Sequence, residues 1–584
     1  MPFVARTKHR EAPKLNLIPA LKYFVGAIAL TASNAWGEPL VTAPNSNCKA
    51  SDVLLHNGVI YTANTQQWQA DVVAVKAGRV AFVGTEEQAK GWYCGAKETI
   101  DLKGSTVFPG FTDAHQHLEG VGKRTRTLSL FGLPTLQETV EKIKAFAANV
   151  PSGEWVLGRG WIEREWQDEQ RFLTAADLDP FTENKPLFMP RADGVSAVVN
   201  SKALAMAGVT KDTPDPEGGK FERYPDGTPT GYILATAMDQ FRAILPHESD
   251  EYIKENLRRG MEVNVSRGWT HTHDAGMKIR EVEQLRELAK NNAMLHRVYI
   301  AMPIDDASYL FSHGAEKAPN DMFNLNAIKV FIDGTLGSRG AALLAPYSDA
   351  DHNGFMNRTT KTELMPVLDE ALRNGYQIMT HVIGDRALKV TLDWYEESWK
   401  ALPQAQWKTQ DLRWRLEHAQ IIPPEEQTRM ARLGIIASMQ PSHAIGDLNF
   451  APARLGAERL TYAYPWKPLV DKGIKVVGGS DAPVEVGDPR IEFYAAISRS
   501  RLDGSRGDGW HAEYALSRED ALRMFTLWPA YASFQEAEYG SIEVGKYADF
   551  SVFDTDFMKA VPADILNAET IMTIVGGKKV FVRQ

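Results

Sequence analysis

In the segment Pro109-Gly110-Phe111-Thr112-Asp113-Ala114-His115-Gln116-His117 an apolar run enters, an aspartate follows, and two histidines stand two apart. Side chains two apart on an extended strand point to the same side. His115 and His117 can therefore offer two imidazoles to one metal ion. Such a pair on its own binds nothing in most proteins, so the segment needs company. Four further stretches supply it. Met379-Thr380-His381 is followed by Val382-Ile383-Gly384-Asp385, and Arg415-Leu416-Glu417-His418-Ala419 and Gly478-Gly479-Ser480-Asp481-Ala482-Pro483 come later. Ala327-Ile328-Lys329-Val330-Phe331-Ile332-Asp333-Gly334 puts a lysine inside an apolar run. Each has a plain structural reading: a hydrogen-bonded histidine, a lysine paired with an acid, a turn. Their order along one chain is what points to chemistry. Imidazole and carboxylate suit zinc, and also iron or manganese. A metal with an open coordination position lowers the pKa of water towards about 7, which permits hydrolysis at neutral pH.

Residues with this task must stand at the ends of rigid elements. Short β-like runs ending in polar residues recur at Val107–His115, Trp269–Asp274, Ala327–Asp333, Tyr376–His381, Trp414–His418, Ile435–Gln440 and Ile474–Asp481. Helical stretches such as Leu136–Ala148 and Thr362–Asn374 lie between them. This alternation predicts α/β architecture with parallel strands, and chemistry at successive strand ends is what a (β/α)8 TIM barrel requires. The distance from His117 to Trp269 is too long for one connection and predicts an insertion over the barrel mouth at about 121–262. Residues 53–84 and 547–582 alternate apolar and polar around Gly58, Gly78 and Gly576-Gly577, which reads as β structure at both ends of the chain. The expected division is a signal peptide at 1–35, β-sandwich from 48–108 and 536–584, and barrel over 109–535.

Taken in order, PGFTDAHQH, IKVFIDGTLGSRGA, THVIGDRA, RLEHAQ, ASMQPSH, GGSDAPV and GSIEVGKYADF resemble the amidohydrolase superfamily, specifically its family 3 branch with the N-substituted formamide deformylases. The resemblance spans essentially the whole chain beyond residue 48. It implies a (β/α)8 barrel with a sandwich built from both termini. It also implies that His115 and His117, His381, His418 and Asp481 are metal ligands, on the first, fifth, sixth and eighth strands. Lys329 matches a strand lysine that many members carboxylate and use to bridge two metals. An ammonium would repel a metal, so that role needs a buried, deprotonated and then carboxylated lysine; without it one ion is favoured. The implied cofactor is a divalent metal, zinc first, as one or two ions. Asp481 would take the proton of the attacking water and return it to the leaving nitrogen.

Other residues have open roles. Trp269-Thr270-His271-Thr272-His273-Asp274 stands where a third barrel strand should end; His273 either packs or lines a pocket. His443 could contact substrate, Asp385 and Arg386 could orient His381 or line the pocket, and Trp161 could line an apolar pocket or fill the insertion core with Trp166. Many relatives carry a histidine where this chain reads Arg191-Ala192-Asp193-Gly194-Val195, and a glutamate where it reads Gly231-Tyr232-Ile233-Leu234-Ala235. Those departures leave the ligand set intact and set substrate recognition apart.

Lys and Arg number 65 against 74 Asp and Glu, a net charge of −9, which argues against nucleic acid as a partner. Lys8, Arg10, Lys14 and Lys22 precede the apolar run Tyr23–Ala32, with Ser33 and Ala35 after it. That reads as a secretory leader and a periplasmic protein, and nothing later is apolar enough to span a membrane. Cys48 and Cys94 are the two cysteines, and whether they pair is left open. The expected function is metal-dependent hydrolysis of non-peptide C–N bonds in a small molecule: an amide, formamide or cyclic amide. The alternatives are an ester, lactone or phosphoester on the same site, or a non-catalytic binding or regulatory protein. Self-association is also left open.

Overall fold

Eight strands run parallel in sequence order around a nearly closed sheet: β1 (Phe111–Gln116), β2 (Trp269–Ala275), β3 (Arg297–Pro303), β4 (Phe323–Phe331), β5 (Gln377–Val382), β6 (Arg415–His418), β7 (Ile436–Met439) and β8 (Val476–Gly478). Seven parallel pairings join them. Just past β8 the seam to β1 is closed by the Asp481 amide on the His115 carbonyl at 2.7 Å and the His117 amide on the Ala482 carbonyl at 2.9 Å. The structure is a computed structural model describing residues 48–584 apart from 164–165, 192–195, 218, 247, 357 and 507–509. The leader expected over 1–35, and residues 192–195 among the noted departures, lie outside the described residues.

Strand β3 was not among the expected runs, and it makes Trp269–Ala275 the second strand rather than the third. Arg297-Val298-Tyr299-Ile300-Ala301-Met302-Pro303 is almost unbroken apolar sequence with no reactive residue at its end. It is buried on both faces, as parallel barrel strands are. The expected single run Val107–His115 is also divided. Thr106–Pro109 belongs to a different sheet, and β1 starts after Gly110. The junction demands glycine: a Cβ on Gly110 would lie 2.1 Å from Thr270 Oγ1.

Helices Leu136–Ala148 and Lys361–Asn374 form as expected. The second starts at Thr360, whose hydroxyl and Glu363 form a capping box, and ends on Gly375 in the left-handed conformation. The Leu364, Leu368, Ala371 and Leu372 stripe is fully buried in the main core, which is what i, i+4, i+7, i+8 spacing delivers.

Both ends of the chain build one sheet, ordered Lys578–Val582, Thr570–Val575, Phe550–Phe553, Thr106–Pro109, Val59–Asn64, Gln67–Ala70. A second sheet contains Arg79–Gly84, Val72–Lys76, Ser51–His56 and Ala96–Asp101. Alternation sorts their residues. Leu55, Val73 and Val75 join Ile60, Val107, Phe550, Val552 and Ile574 between the sheets. Leu54, Val72 and Ala74 face the helix Glu86–Tyr93 through Ala89. Gly576 and Gly577 both have positive φ at the hairpin turn. Cys48 and Cys94 are disulfide-bonded.

The terminal sheet is riveted to the barrel. Ser551 Oγ accepts from the Phe111 amide at 2.9 Å and donates to the Gly268 carbonyl at 2.6 Å. Buried Arg297 pairs with Asp549 at 2.8 Å. These contacts fall where β1, β2 and β3 begin, leaving their far ends free for chemistry. Between β1 and β2 lies a further sheet, with strands Leu128–Ser129, Val156–Arg159, Leu187–Pro190, Ser196–Val199, Pro229–Ala235 and Gly219–Arg223. It has an apolar cluster on either face.

Candidate metal centre

The expected ligands converge at the carboxyl ends of the barrel strands. His115 is near the end of β1, Lys329 near the end of β4, and His381 near the end of β5. His418 ends β6, and Asp481 lies just beyond β8. One ligand atom each from His115, His418 and Asp481 fit within 4.8 Å of one another. His117, which caps the helix Leu118–Thr125, brings Nε2 to 3.3 Å from Asp481 Oδ1, and His115 Nε2 stands 3.6 Å from the same oxygen. The His381 and His418 rings are 4.4 Å apart. Lys329 Nζ is 3.4 Å from His115 Nε2.

Two of these residues reach the site through an uncommon backbone. His418 has φ 68° and Asp481 φ 57°. Side chains disfavour that region, which recurs where function over-determines geometry. Strict alternation would send His418 to the side of Leu416, which is packed in the outer core.

The electrostatics suit a cation that is to be bound. Burial holds His115 down to about 4 and His381 down to about 3, and His418 lies well below its usual value for the same reason, so all three rings are neutral donors at neutral pH. Burial would raise Asp481, but the neighbouring imidazoles, the hydrogen bond with His117 foremost, hold the carboxylate well below its usual range. Burial pulls Lys329 down to about 8. Both ring nitrogens of His381 are buried without a hydrogen-bond partner. Nε2 stands 3.8 Å from Asp333 Oδ1, beyond hydrogen-bond reach; a buried imidazole left so is costly, and metal ligation is a role that would satisfy it. The donor set of neutral imidazoles, a carboxylate and a deprotonable amine fits a divalent metal.

Several residues around these were not singled out from sequence. Glu417 Oε2 lies 2.5 Å from His115 Nδ1, and Gln440 Oε1 lies 2.9 Å from His418 Nδ1. Asp113 accepts from the Ser480 amide and hydroxyl and from Gln116 Nε2, which ties β1 to the segment bearing Asp481. Asp333 accepts the amides of Ile383, Gly384 and Ala342, and burial raises it to about 7 against those three bonds. All four stand inside the quoted motifs, so motif membership was the available signal; their direction was not.

The residues with open roles separate. His443 Nε2 is 3.6 Å from Asp481 Oδ2, and its ring faces His418 at 5.8 Å. His273 lies inside the barrel, accepting from Arg415 at 2.9 Å and set edge-on against Tyr299. Asp385 accepts the Leu344 amide and Arg386 donates to the Gly354 carbonyl, so both brace the loop after β4 rather than His381. Trp161 is in the insertion core, donating to the Met189 carbonyl and stacked near Trp166. No described contact joins it to the metal-site residues.

A cleft of about 670 Å³ reaches this group from the side of His381. Its walls come from the loops after β3 and β4, including Asp305, Phe331, Asp333, Phe355 and Arg358, with His381 at the end of β5. Phe331 and Phe355 are exposed.

The sequence pattern of the amidohydrolase family matches residues 98–581. The chain is 30% identical to YtcJ of Bacillus subtilis (strain 168) over 537 residues, covering 90% of this chain and 98% of that one. It is 29% identical to the N-substituted formamide deformylase of Arthrobacter pascens over 550 residues, covering 90% and 97%. The crystal structure of an uncharacterized metal-dependent hydrolase from Pyrococcus horikoshii OT3 superimposes with TM-score 0.72 at 25% identity, over 87% of this chain and 99% of that one.

Proposed function

The chain belongs to the amidohydrolase family and is a metal-dependent hydrolase, and from that premise we propose that it cleaves carbon–nitrogen bonds other than peptide bonds in a small amide, formamide or cyclic amide. The observation that carries this reading is the orphaned His381 ring beside the cluster of His115, His418 and Asp481, open to a cleft. Likeness to a formamide deformylase supports the choice of bond. His115, His117, His381, His418 and Asp481 are the residues that would hold the metal, zinc by preference, with carboxylated Lys329 as the bridge if two ions bind. Such a metal supplies a Lewis acid that makes water nucleophilic at neutral pH.

The protein's own groups do the rest. Asp481, ionised at neutral pH, takes the proton of the attacking water and returns it to the leaving nitrogen. His443, beside Asp481 Oδ2, contacts the substrate or its leaving group. The cleft between the loops after β3 and β4 admits the substrate, with Phe331 and Phe355 as apolar wall. A hydrolysis screen with zinc-loaded protein tests the choice of bond. Turnover confined to N-acyl and cyclic amides is expected; turnover confined to esters, lactones or phosphoesters would overturn it.

We further propose export to the periplasm. Residues 8–35 have the composition of a leader, and the Cys48–Cys94 bond suits an oxidising compartment. Fractionation followed by N-terminal sequencing should find a shortened chain outside the cytoplasm. A cytoplasmic chain with Met1 intact would refute it.

A further inference from the structure

The interior of an α/β barrel is normally filled by layers of branched apolar side chains. Here one buried apolar group facing the interior is Ala275, Tyr299, Ala301, Ala327 and Met379, three of them alanines. Beside it two charged residues are fully buried, Arg415 and Glu417 on β6. Arg415 reaches across the barrel to three other strands. Nη2 donates to the Ala114 carbonyl on β1 at 2.6 Å and to Ser438 Oγ on β7 at 2.8 Å, and Nη1 donates to His273 Nδ1 on β2 at 2.9 Å. On its own strand Nε stands 2.8 Å from Glu417 Oε1 as an ion pair without hydrogen-bond geometry, and Nη2 donates to Glu417 Oε2 at 3.2 Å. The remaining close contact of Glu417 is His115 Nδ1 at 2.5 Å.

An ionised carboxylate only accepts, so the proton of a neutral His115 must sit on Nδ1. That leaves the Nε2 lone pair directed at Asp481 and Lys329. Two facts favour a fixed carboxylate over a mere packing contact. Arg415 is planar and tied to three other strands, so the carboxylate cannot rotate freely. And the ligand histidines His115, His381 and His418 differ: His418 has the neutral amide of Gln440 at Nδ1, His381 has no partner there, and His115 alone of these three has a charged one.

We propose that Arg415 and Glu417 are positioning residues for the metal centre: the guanidinium locks the carboxylate, and the carboxylate sets the tautomer and raises the donor strength of His115. The proposal rests on the reading of His115 as a metal ligand. It explains why an ion pair is kept in the barrel interior, where an apolar pair would fill the space at less desolvation cost.

The test compares metal-free full-length protein with Glu417→Gln. Zinc and cobalt affinity are measured by competition with a chromophoric chelator, and the visible spectrum of the cobalt form is recorded. Glutamine can still accept from Nδ1 but has no charge. The expected result is an affinity about 10- to 100-fold lower with displaced cobalt bands, while circular dichroism stays at wild type. Unchanged affinity and bands in a folded variant would overturn the proposal. If that variant fails to fold, Arg415→Met with Glu417→Gln removes the buried charges together and should show the same loss, with the same reversal. In the metal-free wild type, nitrogen-15 spectra of labelled histidine, assigned by His115→Asn, should show the proton on Nδ1. A proton on Nε2 would overturn the proposal. If wild-type protein takes up neither metal, the ligand reading fails instead, while the tautomer stays measurable.

Discussion

At the scale of single residues, Asp481 and Lys329 have opposite electrostatic histories in one site. Asp481 is held well below the usual carboxylate range against its burial, the hydrogen bond with His117 first among the causes. Asp481→Asn removes the proton acceptor while keeping an oxygen in place. It should lower kcat by about 100- to 10,000-fold with most of the metal retained, checked by kinetics and metal analysis on one sample; wild-type kcat would refute the assignment. Lys329 titrates near pH 8. Below that value the ammonium predominates, and above it the amine that can combine with carbon dioxide. Metal uptake by the stripped protein in bicarbonate should therefore be greater a pH unit above that value than a unit below. Lys329→Ala should hold less metal and lose the bicarbonate effect. Equal loading at both pH values would argue against a carbamate. The ligand residues were legible because strand-end histidines and aspartates stand out in apolar surroundings. Glu417 was hidden beside His418: its inward direction follows from parity along β6, which the left-handed backbone of His418 then breaks.

At the scale of elements, Gly110 and Ser551 form the joint on which β1 depends. The Ser551 hydroxyl satisfies the buried Phe111 amide and holds the Gly268 carbonyl. Ser551→Ala should cost about 1–3 kcal/mol, read by denaturant unfolding, with cobalt bands unchanged in the folded protein; a cost near zero would mean the joint is held elsewhere. The barrel class and most of its strands could be read from runs that end in polar residues. Strand β3 could not, because Arg297–Pro303 ends in Met-Pro and announces no chemistry. The break at Gly110 was equally hidden, since the clash that forbids a side chain there involves Thr270, which is remote in sequence. The role of Trp161 was undecidable for a related reason: a tryptophan filling a core and one lining a pocket look alike until the sheet beneath is known.

At the scale of the whole molecule, the Cys48–Cys94 bond closes a loop with a sequence separation of 46 that holds strands of both sandwich sheets. Two cysteines leave one pairing, but only the fold brings them within reach. Cys48→Ser with Cys94→Ser should lower stability by about 2–4 kcal/mol, and a reducing agent should shift the wild type equally. No shift with either would mean the loop is already ordered without the bond. The terminal sheet carries a different consequence. Its strand Phe550–Phe553 lies between Thr106–Pro109 and Thr570–Val575, so the partner of the segment leading into β1 is among the last parts of the chain to be made. A ribosome must deliver about 440 further residues before Ser551 can meet Phe111. Until then Thr106–Pro109 has an open edge, and such long-range pairing is slow and exposed to aggregation. The metal centre, whose ligands run from His115 to Asp481, is thus bracketed by a clasp that shuts only when synthesis is nearly finished. A chain cut short before Phe550 should hold every ligand and still fail as a soluble protein.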